Sequence, residues 1–292
     1  MIDKLFKEKY GEEIYSELVN DSQITAQNIR DKNEKDQLRV KNQLEIINDR
    51  LDLNLDIHNT NWAFDFSGWT GKLSNGNNHL KKYMIIGLEP HVERYDFQVT
   101  YGLSDKTPQG LQRFELDLDS EFEIKCNDDS SLIWSNLFKI MADDNQKNEL
   151  LKRGNKQIMI DFLEQFYIVD LCHFAPQDKA KAIHDVKDWS KIRFKVASHY
   201  LTQEINIIKP KVIITHGNGV FNELKKIIKF KETKSYPLKF GKNTWSVKTG
   251  EDSINDIKVL SIPHFGTILN YKTFYQNNRD LVTKTLADNN LI

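Results

Sequence analysis

Four short apolar runs constrain the fold of this 292-residue chain more than any other feature of its sequence. They are YMIIGLEP (83–90), FYIVDLCHFAP (166–176), VIITHGNG (212–219) and KVLSIPHFG (258–266), and each ends in a polar or glycine-containing tip. Short continuous apolar runs are typical of strands that are buried on both faces of a sheet. Amphipathic stretches at 188–208 and 220–230 flank the third run, and strands that alternate with helices form covered parallel sheets. The sequence therefore predicts an α/β fold, a three-layer α/β/α sandwich around a central, parallel, four-stranded sheet.

Residues 1–57 have a different pattern, with apolar side chains at helical spacings, many charges and no proline. They carry 9 Lys/Arg and 13 Asp/Glu, a net charge of −4. Because the whole chain has a net charge of −1, the remaining residues have a net charge of −1 − (−4) = +3. We expect a helical N-terminal extension (1–60) followed by an α/β/α domain (61–292). The extension is interpreted either as a solvated appendage that packs one face or as an interaction arm. Any anion-binding site is expected in the larger domain.

The composition excludes several classes of protein. The only two cysteines, Cys126 and Cys172, cannot form a disulfide framework or a four-cysteine iron–sulfur site. No apolar run approaches membrane-spanning length, and the first residues lack the apolar core of a signal peptide, so a cytoplasmic location without membrane contact is expected. The net charge argues against binding nucleic acid by bulk attraction, but it leaves room for a local basic face.

The predicted topology gathers polar side chains at one place. The carboxyl ends of parallel strands share one edge of the sheet, and α/β folds place their sites there. The residues at the four tips are Glu89, His91, Asp170, His173, His216, Asn218 and His264. No closely spaced histidine pair accompanies them, so neither a metal nor another cofactor is expected.

In order and spacing, these tips resemble the motifs of the uracil-DNA glycosylase superfamily. The matching segments are Gly87-Leu88-Glu89-Pro90-His91, Gly102-Leu103-Ser104, SSLIWSNLFKI (130–140), YIVDLCHFAP (167–176), YLTQEINIIKPKVIITHGNGVFNEL (200–224) and SIPHFG (261–266). The chain departs from the family's pattern at four places, with Glu89 for Asp, His91 for Tyr, Asp170 for Asn, and Phe265-Gly266 for Pro-Ser.

The resemblance implies two catalytic residues. Hydrolysis of an N-glycosidic bond passes through an oxocarbenium-like state and leaves negative charge on the departing base. Glu89 corresponds to the carboxylate that orients water beside the sugar, and Pro90 fixes the backbone after it. His264 corresponds to the donor that stabilises the charge on the base oxygen.

Asp170 stands where the family has a base-reading amide. An ionised carboxylate only accepts hydrogen bonds, so it repels a uracil O4 and pairs with a cytosine N4 amine. His91 replaces a tyrosine that closes off the base's 5-position, and a smaller side chain leaves space for a 5-substituent. Phe97 and Tyr101 are the other candidate base-binding residues. Alternatively, Asp170 caps the turn that follows it.

The target base must leave the stack, and superfamily members insert an apolar side chain after the last histidine. The candidate residues for contact with DNA are Phe265, Ile268, Leu269, Lys272 and Asn136. Core packing is the competing interpretation for Ile268 and Leu269.

Three functions remain open. The first is a monofunctional DNA glycosylase that removes a 5-substituted cytosine from foreign DNA and leaves an abasic site, as antiviral defence. An unmodified cytosine substrate would make such an enzyme toxic to its host. The second is a repair glycosylase for uracil or another deaminated base. The third is a catalytically silent member of the fold that binds DNA or protein. The oligomeric state is open, with a monomer as the expectation.

Overall fold

The computed structural model describes the backbone of most of the chain. The described residues are 2–13, 33–58, 62–65, 82–88, 98–100, 115–117, 123–125, 131–153, 158, 162, 165–176, 188–240, 243–264, 268–269 and 272–288. The strands are β1 (Trp62–Asp65), β2 (Tyr83–Gly87), β3 (Gln98–Thr100), β4 (Glu115–Asp117), β5 (Glu123–Lys125), β6 (Phe166–Asp170), β7 (Phe174–Pro176), β8 (Val212–His216), β9 (Lys231–Phe240), β10 (Asn243–Asp252), β11 (Ile257–Ile262), β12 (Ile268–Leu269) and β13 (Lys272–Thr273). The helices are α1 (Ile2–Tyr10), α2 (Asn33–Leu51), α3 (Ser131–Met141), α4 (Asp144–Arg153), α5 (Trp189–Ile208), α6 (Gly217–Ile228) and α7 (Phe274–Asp288).

The central sheet has six strands in the order β6-β2-β8-β11-β10-β9, so the prediction of four strands is wrong in number. The four predicted strands pair in parallel and form one side of the sheet. The hairpin β9–β10 adds two antiparallel strands to β11. Its sequence alternates polar and apolar residues instead of forming a continuous apolar run, because it lies at the edge of the sheet.

Two hydrophobic cores confirm the three-layer α/β/α arrangement. Along β2, Met84 and Ile86 face one core, whereas Tyr83 and Ile85 face the other, as the twofold period of a strand requires. The first core contains buried residues of α1, α2, α5 and α6. The second contains buried residues of α3 and α7.

Helix α1 is joined to the large domain by buried side chains. Leu5, Phe6 and Tyr10 belong to the same core as β2 and α5. The Lys9 ammonium lies 2.8 Å from the Glu204 carboxylate on α5, and the two side chains are 2% and 0% exposed. The boundary near residue 60 stays a prediction. No described helix is long and apolar enough to cross a membrane.

Candidate active site

Four described residues define one end of the central sheet, which we call the site edge: Gly87, Asp170, His216 and His264. In the parallel register, Asp170 at the end of β6 lies beside Gly87 at the end of β2. His216 at the end of β8 lies beside Ile262 at the end of β11, two residues before His264. The four strand tips therefore converge as predicted. Asp170, His216 and His264 mark the tips after β6, β8 and β11, and Gly87 marks the end of β2.

The Asp170 carboxylate packs directly against the backbone of Gly87. A Cβ atom built on Gly87 would overlap Oδ1 of Asp170, so any residue other than glycine would displace the carboxylate from this position. Asp170 is half-buried and so remains partly open to solvent. This contact places a hydrogen-bond acceptor over the end of β2, two residues before Glu89 in the sequence.

The turn after Asp170 is held by backbone hydrogen bonds to the end of β2. The Leu171 amide donates to the Gly87 carbonyl at 3.0 Å, and the Cys172 amide donates to the Leu88 carbonyl at 3.3 Å. These two amides are therefore satisfied by backbone carbonyls. A cap by the Asp170 carboxylate on either of them is not needed to hold the turn.

The imidazole rings of His216 and His264 are in edge-to-face contact, with centroids 4.2 Å apart and an interplanar angle of 77°. His264 keeps an exposed surface, which leaves it accessible to a ligand. Burial of the rest of the ring lowers the pKa of His264 below its ordinary value. The ring is therefore neutral at neutral pH and carries one N–H donor.

A hydrogen-bonded chain fixes the elements around this pair. The Ser261 hydroxyl on β11 donates to Oδ1 of Asn218 at 2.9 Å. The Asn218 amide, in the first turn of α6, donates to the Ser246 hydroxyl on β10 at 3.1 Å. Gly217, between His216 and Asn218, has φ of +87°, a conformation that favours glycine and turns the chain sharply from β8 into α6.

His173 follows β6 but lies away from the site edge. It is 1% exposed, and its ring makes edge contacts with Tyr10, Phe174 and Tyr200. Burial, and then the charge of Lys9, lower the pKa of His173 well below its ordinary value, and a hydrogen bond with the Lys9 backbone acts in the opposite direction. His173 is thus a neutral core residue that joins α1 to the turn after β6.

The other predicted site residues have varied placements. Asn136 lies on α3 and is 6% exposed. Ile268 and Leu269 form β12, which pairs with β13 through Leu269 opposite Lys272 and Ile268 opposite Thr273. Their contacts with DNA stay predictions. The candidates that lie outside the described residues are Glu89, His91, Phe97, Tyr101 and Phe265.

Three features of the site edge were not predicted from the sequence. The contact between His216 and His264 follows from the adjacency of β8 and β11, and both histidines end or follow an apolar run. The role of Gly87 as the support for Asp170 depends on the register between β2 and β6. The hairpin β9–β10 has only a weak signal, two alternating segments around Gly241. Among the described residues, no group of three or more His, Cys, Asp or Glu side chains is arranged to hold a metal ion.

Comparison with known proteins agrees with this geometry. The family model for the Uracil DNA glycosylase superfamily matches residues 74–288, which is well over half of the chain. A search of curated proteins finds no match. The family match supports DNA glycosylase activity in general, that is, base excision from DNA by hydrolysis. The chain belongs to the uracil-DNA glycosylase superfamily.

Proposed function

We propose that this protein is a monofunctional DNA glycosylase that flips a 5-substituted cytosine out of DNA and hydrolyses its N-glycosidic bond, leaving an abasic site. The observation that carries the proposal is the position of the Asp170 carboxylate. It lies at the site edge against Gly87, half-buried, one strand away from the tip that bears Glu89.

The chemistry of a carboxylate favours a cytosine-type base at this position. A side-chain amide can donate to the O4 of uracil and accept from its N3–H, whereas an ionised carboxylate can only accept. Acidic side chains accept from the N4 amine when they read cytosine. Asp170 therefore attracts a cytosine edge and repels a uracil edge.

Backbone hydrogen bonds hold the turn that follows Asp170. The amides of Leu171 and Cys172 donate to carbonyls of β2, so the turn is held by the backbone. An ionised carboxylate accepts up to about four hydrogen bonds, so Asp170 can accept from a base in addition to its contacts within the fold.

Glu89 and His264 would supply the chemistry. Glu89 would orient the attacking water and stabilise the positive charge that develops on the sugar. His264 would donate its N–H to the base O2, where negative charge collects as the bond breaks. The lowered pKa of His264 suits this role, because a neutral imidazole donates without adding a second cation beside the sugar.

The remaining candidates would hold the nucleotide. His91, with Phe97 and Tyr101, would line the space for the 5-substituent. Phe265, Ile268 and Leu269 would fill the gap left by the flipped base, as apolar wedges do in other DNA-deforming proteins.

The substrate must differ from the host's own cytosine, or the enzyme would destroy the host genome. A 5-substituted cytosine of a virus meets this condition, so we propose a cytoplasmic role in antiviral defence. This hydrolysis consumes water and requires no cofactor.

A base-release assay tests the proposal. The protein is incubated with matched duplex and single-stranded oligonucleotides that carry uracil, cytosine, 5-hydroxymethylcytosine or glucosylated 5-hydroxymethylcytosine, and abasic sites are cleaved with alkali. Cleavage at a 5-substituted cytosine supports the proposal. Cleavage at uracil alone makes the protein a repair glycosylase, and cleavage of none with retained DNA binding makes it a silent binding member of the fold.

A further inference from the structure

The rings of His216 and His264 restrict each other's rotation. Their centroids are 4.2 Å apart at an interplanar angle of 77°, closer than the 5.4 Å between the rings of His173 and Tyr200 in the core. Edge-to-face pairs have centroids about 4.5–7 Å apart, so the rings of His216 and His264 are in direct contact. Rotation of either ring about its Cα–Cβ bond therefore has to displace it from the other.

The two histidines differ in how firmly the backbone holds them. His216 is the last residue of β8, pairs with Ile262 of β11 in the register, and is half-buried. The chain then turns at Gly217, where φ is +87°, into α6. His264 lies two residues beyond the end of β11 and is exposed. The ring of His216 is thus the fixed partner, and it limits the rotamers of a side chain that extends past the sheet.

Hydrogen bonds keep the elements that carry the two rings in one arrangement. Ser261 is fully buried, and its hydroxyl donates to Oδ1 of Asn218 at 2.9 Å. This bond joins β11, three residues before His264, to the first turn of α6, two residues after His216. The Asn218 amide group donates in turn to the Ser246 hydroxyl on β10. The hydrogen bonds therefore fix the backbone positions from which the two rings meet.

We propose that His216 is a positioning residue, which holds the His264 ring by edge-to-face contact in the orientation that donates to the base oxygen. The proposal rests on the proposed function, in which His264 is that donor. An oxyanion donor has to lie about 2.7–3.1 Å from the oxygen that gains charge. A displacement of about 1 Å can lower a rate about a hundredfold, so a donor on an exposed side chain needs a neighbour that fixes its rotamer. In this role His216 acts through His264 and not on the substrate.

Three substitutions of His216 separate ring contact from hydrogen bonding. His216→Phe keeps a planar ring edge and removes both nitrogens, His216→Asn keeps a hydrogen-bonding group without a ring, and His216→Ala removes both features. The matched control is His199→Ala on α5. His199 is also half-buried, and its ring meets that of Tyr200 edge-to-face with centroids 4.7 Å apart, but it lies beside Glu8 of α1 and not at the site edge.

Base release is measured under single-turnover conditions, with protein in excess over an oligonucleotide that carries the base cleaved by wild type. A series of protein concentrations gives the maximal rate constant and the half-saturating concentration separately. Thermal unfolding is the folding control for each variant.

We expect His216→Ala and His216→Asn to lower the maximal rate constant about tenfold to a hundredfold, with half-saturation within about twofold of wild type, because the donor is misplaced while DNA still binds. His216→Phe should stay within about threefold of wild type in both values, because the ring edge remains. His199→Ala should leave both values unchanged.

A folded His216→Ala variant with the wild-type rate constant would overturn the role of His216, and so would a change in half-saturation alone. A His216→Phe variant as slow as His216→Ala would overturn it too, since the ring edge would then not be what matters. Should His216→Ala not fold, the comparison of His216→Phe with His216→Asn decides in the same way. In each of these cases base release by wild type keeps the glycosylase proposal intact, whereas a wild type that releases no base would overturn the proposed function and this role with it.

Discussion

Two regions of the protein each contain a histidine and a carboxylate, and the surroundings of these residues are opposite. In the buried cluster, formed by Lys9, His173 and Glu204, each residue is at most 1% exposed. At the site edge, Asp170 is half-buried and His264 is exposed. The first region joins α1 to α5 and to the turn after β6, whereas the second faces outward from the carboxyl ends of the strands.

The difference shows how surroundings decide what the same residue types can do. Lys9 and Glu204 are 195 residues apart in sequence, and their charged groups are enclosed and pair with each other at 2.8 Å. Enclosure also keeps the His173 ring neutral and away from any ligand. At the site edge the acceptor and the donor keep accessible surfaces, which is the condition for binding a base.

The largest effect is expected from a substitution that breaks the buried cluster. Lys9→Met leaves the Glu204 charge buried without its partner, which should lower the free energy of unfolding by about 3–5 kcal/mol. Lys7→Met on the same helix is the matched control, because Lys7 also lies 2.8 Å from a carboxylate, that of Glu12, but both side chains are exposed. An exposed pair contributes about 0–1 kcal/mol. Urea unfolding measures both values.

Equal losses for the two variants would show that the enclosure of Lys9 has no special effect. A double variant, Lys9→Met with Glu204→Leu, sharpens the result. Replacing both charges by apolar side chains removes the buried unpaired charge, so this variant should be more stable than Lys9→Met alone.

At the site edge, the expected effect is on catalysis instead of stability. His264→Ala and Glu89→Gln should each lower the rate of base release by about a hundredfold or more, the usual scale for loss of an oxyanion donor or a general base. DNA binding and thermal unfolding should stay near wild type. The matched control is His58→Ala, an exposed histidine beside Glu45 in the N-terminal segment. A folded His264→Ala variant with full turnover would contradict the role assigned to His264.

A third pair of variants tests the contact between Gly87 and Asp170 at the site edge through its effect on stability. Gly87→Ala adds a Cβ that would overlap Oδ1 of Asp170, so the half-buried carboxylate must rotate, which should lower the free energy of unfolding by about 0.5–1.5 kcal/mol, the cost of a displaced rotamer. Gly219→Ala in α6 is the control, since a Cβ there meets nothing within 4 Å and alanine favours helix by up to about 1 kcal/mol. Urea unfolding should therefore show opposite signs for the two variants. The same sign and size would mean that Asp170 does not press on Gly87.

The smallest expected effect is the pH dependence that His173 contributes. Its pKa is well below 6.5 in the folded state and ordinary in the unfolded chain, so the unfolded state takes up more protons as the pH falls below about 6.5. The stabilisation is present above that pH and decreases by about 1.4 kcal/mol per pH unit below it. His173→Phe should remove this slope between pH 6.5 and 5.5 in urea unfolding. An unchanged slope would place the titrating group elsewhere.

Much of the fold could be predicted because its strands have a strong signal. The runs that form β2, β6, β8 and β11 are continuous and apolar, since both faces of each strand are covered, and their polar ends mark one edge of the sheet. The hairpin β9–β10 escaped prediction because an edge strand such as β9 has exposed positions that interrupt an apolar run, among them Lys231, Lys234 and Pro237.

The site could be predicted only in part, for a geometric reason. His173 and His264 both follow apolar runs, and the sequence alone does not show that α1, far away in the chain, encloses the first of them. The support of Asp170 by Gly87 requires the pairing of β2 with β6, and many registers are compatible with two apolar runs. The residue types at the site edge were visible in the sequence, but their contacts were not.

The most direct test of the account is a comparison of wild type and Asp170→Asn in base release from matched oligonucleotides that carry uracil or a 5-substituted cytosine. The account predicts that wild type excises the modified cytosine and that Asp170→Asn loses this activity and gains activity on uracil, because an amide can donate to O4. A mismatched buried polar contact costs about 1–3 kcal/mol, so the preference should shift by roughly tenfold to a hundredfold or more. A wild type that excises uracil efficiently and ignores every cytosine derivative would contradict the assignment of Asp170 as the base-reading residue.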